Sequence, residues 1–427
     1  MIKSLLKQDI ILTIVTFILI AIGIVTVYST TQYSTGIREL IFAIAGSGIY
    51  FATMNLDYRI YKLRLFQILI FTGIIVLLIA IFLLSKKLNN THRWFALGGI
   101  DIQPAEFAKI VVILLSSSFF SIFLKTENFL KKVGVGLIMI LPIVLLVYKQ
   151  PALGTSIILF FIFFMILFAS YYDQHKFILA TATFIFSTLL TTAFLGSNIL
   201  GANINFIIVN INIAILGTLI IGLYVLYKLI KNKMHTTTFL IIIGLGLLFG
   251  SSFKLVVWDH LLKNYQKNRI IGFLNNSNSN LSNSTNFQTK QSKIAIGSGG
   301  FWGKGYGEGT QSRLDFLPES TTDFIYATFT EEFGFFGNMV LLFLYVIFIS
   351  RIIIIMSETK NRYAFLIVVG IVSMILIQLL INVGMNLGIM PVTGIPLPLI
   401  SYGGSSLITT LIAIGIAQNI HINRDLN

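Results

Sequence analysis

The chain has 427 residues, of which 56% are hydrophobic and only 11% charged, and its mean hydropathy is +0.88. Soluble domains carry about 25% charged residues and do not repeat apolar blocks of about 20 residues, so this composition excludes a soluble globular protein. The formal net charge is +14, but no basic run or basic helix stands clear of the apolar blocks, which argues against a nucleic-acid partner.

The apolar blocks predict an all-α integral membrane protein with about twelve transmembrane helices, forming a single polytopic domain over residues 1–427. The first block lacks an A-x-A-like cleavage pattern and is followed at once by others, so we expect a membrane span and not a removable signal peptide. The blocks lie at about 10–28, 40–54, 65–84, 104–124, 133–148, 153–171, 177–195, 206–229, 238–258, 336–356, 364–385 and 399–420.

Lysine and arginine residues concentrate in alternate connections between these blocks, as the positive-inside rule requires of short cytoplasmic loops. The pattern predicts that both termini are cytoplasmic and that a large loop at 259–322 is extracytoplasmic. The basic loops also fit anionic membrane lipid. The residues that carry the pattern are Arg59, Lys62, Arg64, Lys125, Lys131, Lys132, Lys228, Lys231, Lys233, Arg351, Lys360 and Arg362.

A first polar cluster lies at the predicted outer mouth of the fourth span, in HRWFALGGIDIQPAEFAK. Pro104 suits the first turn of a helix, and Gln103 before it can satisfy free amides. Glu106 and Lys109 are three residues apart and share a helical face, so they form either a self-neutralising pair or a polar wall of an external pocket. In the second alternative, the ligand-facing groups that precede the helix are Arg93 and Trp94.

Seven of the thirteen residues from Gly297 to Gly309 are glycine, and we call this segment the glycine loop. Its amides could approach an anion closely, with positive charge from Lys293, Lys304 and Arg313 and aromatic faces from Trp302 and Tyr306 to support a sugar. The alternative is a flexible external loop. The segment KQPALGTS, at 149–156, is interpreted as a tight turn between two spans.

Four acids lie in or against apolar sequence in LPESTTDFIYATFTEEFGFFG, which follows the glycine loop, at Glu319, Asp323, Glu331 and Glu332. Helical spacing would place Glu331 on the same side as Asp323. Carboxylates beside hydrocarbon imply a wet cavity or basic partners. The chain has no cysteine and its five histidines are scattered, so no metal site is indicated, and a divalent cation is left open.

Four motifs together resemble the SEDS family (shape, elongation, division and sporulation), and within it the elongation-type, RodA-like members. They are RWFALGGIDIQPAEFAK, NYQKNRIIGFLN, the stretch from Gln291 to Gly337, and NVGMNLGIMPVTGIPLPLISYGGSSLI. The resemblance covers nearly the whole chain apart from a region in the middle. It implies a glycosyltransferase that polymerises the peptidoglycan precursor lipid II on the outer face of the bacterial plasma membrane, together with a class B penicillin-binding transpeptidase.

Carried over residue by residue, the resemblance points to substrate-binding and catalytic positions in three regions. Glycan extension needs a base for a sugar hydroxyl and cations for the departing diphosphate. The nearest candidate bases are Asp323 and Glu319. The substrate-binding positions are Arg93, Trp94, Gln103, Glu106, Lys109, Gln291, Lys293 and Lys304. Near the end of the chain the resemblance also points to Pro396, Pro398, Ser401, Tyr402 and Gly403.

The chain departs from the family pattern in three places. Family members place an aspartate in the outer loop shortly after FLN, but here that position falls near Ser279 or Asn280 in a stretch without a carboxylate. Ala152 also stands where the family has an aspartate. Two spans within 177–230 are interpreted as a helix pair inserted into a family scaffold of ten.

These departures keep two alternatives to an active polymerase open. One is a catalytically weak scaffold for a transpeptidase, since an amide cannot accept a proton at neutral pH. The other is a flippase or transporter for a lipid-linked precursor, because many spans with buried acids suit it equally well. A transporter should line its charges along a path through the midplane, whereas here they crowd the outer side.

Overall fold

The computed structural model describes residues 7–30, 33–84, 93–97, 100–122, 129–171, 284–314 and 316–424, with single positions between 262 and 273. The chain divides into two compact units, one formed by Met1–Ser170 with Asn276–Asn427 and the other by Tyr171–Asn275. All helices given below lie in the first unit. The predicted spans between 177 and 258, including the inserted pair, lie outside the described residues.

Eleven α-helices and one short β-hairpin make up the described part of the first unit. A 3-10 helix, Tyr58–Lys62, precedes α3. The helices are α1 (Ile10–Thr30), α2 (Tyr33–Asn55), α3 (Arg64–Leu84), α4 (Pro104–Ile122), α5 (Phe129–Lys149), α6 (Leu153–Ser170), α7 (Ser284–Ser298), α8 (Thr310–Arg313), α9 (Ile325–Glu358), α10 (Arg362–Asn386) and α11 (Gly404–Ile422). The antiparallel strands are β1 (Phe95–Leu97) and β2 (Ile100–Ile102).

Eight of the described helices are long and apolar enough to cross a membrane, and α5 adds a shorter apolar stretch, so the expected all-α membrane fold is confirmed. Helices suit this environment because every backbone N–H and C=O must be bonded within the segment. The central helices α4 and α11 have 78% of their apolar windows buried in protein. For α3 the share is 17%, so its surface is left to face lipid.

Three predicted boundaries are wrong: two helices begin earlier than predicted and one begins later. Helix α2 begins at Tyr33 and not near Leu40, and α9 begins at Ile325 and not near Phe336. Hydropathy missed these starts because the segments carry charged residues, of which Glu39 in α2 and Glu331 and Glu332 in α9 are buried in protein. The last span begins at Gly404 instead of 399, because the segment before it is non-helical and bonds to neighbouring backbone.

Helix α9 is broken in its third turn by Gly334, whose φ is 67° and ψ is −166°. The glycine loop packs directly on this break. Gly303 also has a positive φ of 85°, and a Cβ on either glycine would collide with backbone of the other segment. Both positions therefore require glycine, because only it combines this conformation with so close an approach.

At one end of the bundle, which we call the basic end, the start of α1 meets α9 and α11. Asp9 caps α1 through Leu12 N–H (2.9 Å), and its carboxylate pairs with Arg351 of α9 at 2.5 Å. The amide of Gln418 in α11 exchanges hydrogen bonds with the backbone of Asp9, both at 2.9 Å. The start of α1 and the C-terminal half of α11 therefore lie together on one side of the bundle.

Arg351→Gln is expected to destabilise the protein, because the Asp9 side chain is 1% exposed and would lose its only ionic partner in the described residues. Removing one member of a buried pair costs roughly 3 to 5 kcal/mol, and the partial exposure of Arg351 places the effect at the lower end. Thermal unfolding in detergent measures it. The exposed Lys360 lies at the same end, and Lys360→Gln should leave the melting temperature unchanged. An unaltered transition in Arg351→Gln would contradict the argument.

Candidate functional site

The opposite end of the bundle, which we call the glycine-loop end, is organised around three amides on α10. Gln378, Asn382 and Asn386 follow one another at intervals of four residues and are each 0% exposed. This interval places them on one face of the helix. Buried side-chain amides are costly unless bonded, so their partners identify what this face holds in place.

Two of these amides fix the segment that carries Asp323. The Nδ2 atoms of Asn382 and Asn386 donate to the carbonyl oxygen of Asp323 at 2.9 and 3.2 Å. Asn382 Nδ2 also donates to Ile395 O at 2.8 Å. The Asp323 side chain is half-buried and lies against Gly394, where an added Cβ would stand 3.2 Å from Oδ2. The backbone of Asp323 is therefore fixed from α10, and its carboxylate lies beside the 394 turn.

Asn386 also anchors α7, which carries two of the predicted substrate-binding residues. Ser292 Oγ donates to the carbonyl oxygen of Asn386 at 2.9 Å, and Asn386 Oδ1 accepts from Ala327 N at 3.2 Å in the first turn of α9. Next to Ser292, the exposed Lys293 lies across Gly388, where a Cβ would collide with its Cε. Gln291 is half-buried on the same helix.

The third amide of this face meets the pair predicted on α4. Lys109 Nζ and Glu106 Oε2 are 2.6 Å apart, with side chains 1% and 5% exposed. In the amide orientation that satisfies both of its polar atoms, Gln378 accepts a hydrogen bond from Lys109 Nζ at 2.8 Å. The intrahelical pair therefore forms and is buried against α10.

Arg93 and Trp94 lie beside the turn between α5 and α6. Arg93 Nε donates to Gln150 O at 3.1 Å, another guanidinium nitrogen donates to Pro151 O, and the guanidinium carbon lies 5.9 Å from the Trp94 ring centroid. Arg93 thus holds the turn encoded by KQPALGTS. Gln103 joins α4 to α11, because its N–H donates to Ser405 Oγ at 2.9 Å.

The glycine loop is folded against α9, and the anion that it encloses is the carboxylate of Glu331. Lys304 Nζ is 2.6 Å from Glu331 Oε1, and this oxygen also accepts from the N–H groups of Thr310 and Gln311 at 2.9 and 3.1 Å. The Glu331 side chain is 0% exposed. Lys304, predicted to bind substrate, therefore has an internal partner.

The expectation that helical spacing places Glu331 beside Asp323 is wrong. Helix α9 begins at Ile325, so Asp323 precedes the helix and is held from α10 instead. The other candidate base, Glu319, is exposed and has a positive φ of 59°. Its Oε2 accepts from Thr322 Oγ1 at 2.9 Å, which ties its carboxylate to the same short segment.

The segment near the end of the chain supports the Asp323 segment from a second side. Ser401 Oγ donates to Thr322 O at 2.6 Å and accepts from Leu397 N at 2.7 Å, and Tyr402 N donates to Thr321 O at 2.9 Å. Tyr345 OH on α9 donates to Pro398 O at 2.5 Å. Burial, followed by the nearby charge of Glu39, raises the pKa of the Tyr402 phenol, so this phenol stays protonated. Residues 321–323 are thus held between α10 and the 397–402 segment.

The sequence interpretation named the residues around this segment but missed the amides that position it. The signal was present, because Q-x-x-x-N-x-x-x-N inside an apolar span predicts a polar face on one helix. Buried Glu39 of α2, whose Oε2 accepts from Gly403 N at 3.4 Å, was also missed. Ser279 and Asn280 lie outside the described residues. Across the described part of the chain, no group of three or more metal-ligating side chains comes together.

Known proteins resemble this chain over nearly its full length. The sequence model described as "Cell cycle protein", for FtsW, RodA and SpoVE, matches residues 7–203 and 198–426. "Peptidoglycan glycosyltransferase RodA" of Treponema pallidum is 33% identical, over 97% of this chain and 97% of its own. "Peptidoglycan glycosyltransferase MrdB" of Escherichia coli K12 is 31% identical, over 82% and 76%.

Two solved structures share the fold. A chain from a study of a peptidoglycan synthase complex that coordinates polymerization and crosslinking gives a TM-score of 0.70 at 22% identity, covering 98% of this chain and 99% of its own. The Rod shape determining protein RodA of Thermus thermophilus gives 0.60 at 21%, covering 98% and 97%. The match over both halves of the sequence confirms the resemblance read from the motifs, and this multi-pass membrane protein belongs to the FtsW/RodA/SpoVE family.

Proposed function

We propose that the protein is a peptidoglycan glycosyltransferase that polymerises lipid II into glycan strands during cell elongation. Relatives with this activity in their names align with 97% and 82% of the chain, and neither the scaffold nor the flippase alternative is favoured by those names. The structural observation that carries the proposal is the set of hydrogen bonds made by Asn386. It ties the segment of Asp323 to the helix of Lys293, so a carboxylate and an exposed cation are positioned from one residue.

In the proposed reaction, a sugar hydroxyl of one lipid-linked chain attacks the anomeric carbon of another. A glycosidic bond forms, the bond from that carbon to the diphosphate breaks, and the hydroxyl proton passes to a carboxylate. We assign the base to Asp323, with Glu319 as the alternative. Lys293 is the cation best placed for the departing diphosphate, because it is exposed.

Arg93 and Lys304 already bond to other groups of the protein, so we give them a supporting role in the proposed reaction. Arg93 holds the α5–α6 turn. Just after this turn, Gly154 in the first turn of α6 packs against Thr393 and Ile395, next to the Asp323 carboxylate at Gly394. Lys304 holds the glycine loop through Glu331. Both cations would therefore act on the shape of the site.

The proposed setting is the bacterial plasma membrane, with the basic end and both termini in the cytoplasm. The positive-inside rule supports this orientation, because Arg59, Lys62, Arg351 and Lys360 lie in or near connections at that end. The proposed partner is a class B penicillin-binding transpeptidase. A structural neighbour from a synthase complex that couples polymerization to crosslinking supports it.

Polymerisation of labelled lipid II by the purified protein, with its transpeptidase in proteoliposomes, tests the proposed function. We expect glycan strands longer than the disaccharide unit. Absence of strands in a preparation with an intact unfolding transition would contradict enzyme activity. Movement of labelled lipid II across the bilayer without any polymer would instead favour the flippase alternative.

Asn386→Ala is expected to lower the polymerisation rate by roughly tenfold or more, because Asp323 O loses a donor, Ala327 N loses its acceptor and Ser292 Oγ loses its bond to Asn386 Oδ1 at 3.3 Å. Small misplacements of reacting groups are costly. The matched control is Ser373→Ala on the same helix. Among the described residues, the Ser373 hydroxyl bonds only to Val369 O, one turn earlier in the helix. This variant should keep wild-type activity. Equal rates for the two variants would contradict the positioning role.

A further inference from the structure

Four aromatic side chains form an exposed cluster where the glycine loop meets the break in α9, and we call it the aromatic collar. Phe301, Trp302, Phe335 and Phe336 are 54%, 73%, 53% and 52% exposed. Their rings touch one another, with centroids 5.0 Å apart for Phe301 and Trp302 and 5.5 Å for Trp302 and Phe336. Four large aromatic rings exposed together at one place need an explanation, whereas single exposed apolar residues do not.

The collar is held in a fixed shape by backbone contacts between two segments. Phe335 N donates to Gly300 O at 2.9 Å, and Phe336 N donates to Phe301 O at 3.0 Å. The close approach of Gly303 and Gly334 lies directly beside these bonds. The glycine loop therefore presents its aromatic rings together with those of α9.

The collar continues into the exposed apolar face of α9. Phe336, Met339, Phe343 and Val346 share one side of the helix by their spacing and are 51% to 64% exposed. A face of this kind on a membrane-spanning helix is in contact with lipid. From Phe336 to Glu358, α9 extends roughly 33 Å at its rise per residue. This length matches the hydrocarbon core of about 30 Å, so Phe336 lies at one boundary of the bilayer.

We propose that the aromatic collar is a membrane-interface anchor that holds the glycine loop at the boundary between lipid and water. Its occupant is the headgroup and upper acyl region of the bilayer, where Trp is enriched because its ring is amphipathic and where Phe side chains bury against the acyl chains. The collar is continuous with the lipid-facing side of α9. Trp302 packs edge-on against Phe301 and rests on Phe336, so its ring belongs to this surface. The anchor sets the depth of the loop that encloses Glu331.

Fluorescence of Trp302 in lipid vesicles tests the anchor, because the chain has three tryptophans and the other two can be replaced. The Trp94→Phe and Trp258→Phe double variant is reconstituted into phosphatidylcholine vesicles brominated either near the headgroup or near the chain end. We expect Trp302 to lose most of its emission with shallow bromines, to lose less with deep bromines, and to resist aqueous iodide. A matched variant that keeps only the half-buried Trp94 should respond weakly to both bromines.

A second measurement avoids dependence on the double variant. The bromine quenching of tryptophan emission is compared between the wild-type protein and Trp302→Phe in the same vesicles. The difference between the two is the quenching of Trp302. Emission quenched by iodide but not by bromines would overturn the anchor and indicate a water-facing surface. Bromine quenching that disappears when the transpeptidase is added would also overturn it, because the collar would then be covered by protein.

Discussion

Asp323→Asn is expected to reduce the polymerisation rate by roughly a hundredfold to ten-thousandfold, the contribution of a general base. The amide is close in size to the carboxylate but cannot take the hydroxyl proton. The fold should persist, because the segment is held through the backbone carbonyl of Asp323 by Asn382 and Asn386. Steady-state polymerisation of labelled lipid II measures the rate, and thermal unfolding in detergent measures the fold.

Glu319→Gln is the matched comparison for this substitution. Its carboxylate lies on the same short segment and bonds Thr322 Oγ1, but it is exposed. If Asp323 is the base, Glu319→Gln should retain most of the activity and Asp323→Asn should lose nearly all of it. The reverse result would assign the role of general base to Glu319. Near-normal turnover in both variants would contradict a base on this segment altogether.

Glu331→Gln is expected to destabilise the glycine-loop end by about 3 kcal/mol, because a buried carboxylate loses its charge-assisted bonds to Lys304 and to two N–H groups. The loop should then loosen from the break in α9. We expect a melting temperature several degrees lower and faster proteolysis within 297–313. Activity should fall as well, because the loop lies beside the proposed site.

The control for Glu331→Gln is Glu308→Gln in the same loop. Glu308 pairs with Arg313 at 3.7 Å, but both side chains are more than 60% exposed, and exposed pairs contribute little. Its melting temperature should match the wild type. Combining Glu331→Gln with Lys304→Gln should cost less than the sum of the single changes, because the pair is removed as a unit. Strict additivity would contradict a direct interaction.

The sequence predicted the membrane class and most spans because a bilayer imposes a simple rule on composition. About 20 consecutive apolar residues are needed to cross it, and the blocks at 10–28, 104–124 and 364–385 follow that rule closely. The first turns of α9 do not follow this composition rule. Glu331 and Glu332 are buried there by protein partners, and no hydropathy pattern records a partner that lies elsewhere in the chain.

The candidate site shows the same division. The motifs identified Asp323, Lys293 and Lys304 as residues that carry chemistry, because charges near hydrocarbon are costly. They could not distinguish a cation that faces water from one already paired. Lys304 and Lys293 lie eleven positions apart, yet of these two only Lys304 pairs with a buried carboxylate in the described part of the chain.

By itself, the sequence determined the family, the membrane setting and the set of polar residues, because local composition and long motifs carry that information. Only the tertiary structure decided which of those residues have partners. Glu331 fills the glycine loop, and Asn386 joins Asp323 to α7, through contacts between segments tens of residues apart in the chain. Such contacts depend on how helices pack, and hydrogen-bond geometry in a buried site has no signature in the order of the residues.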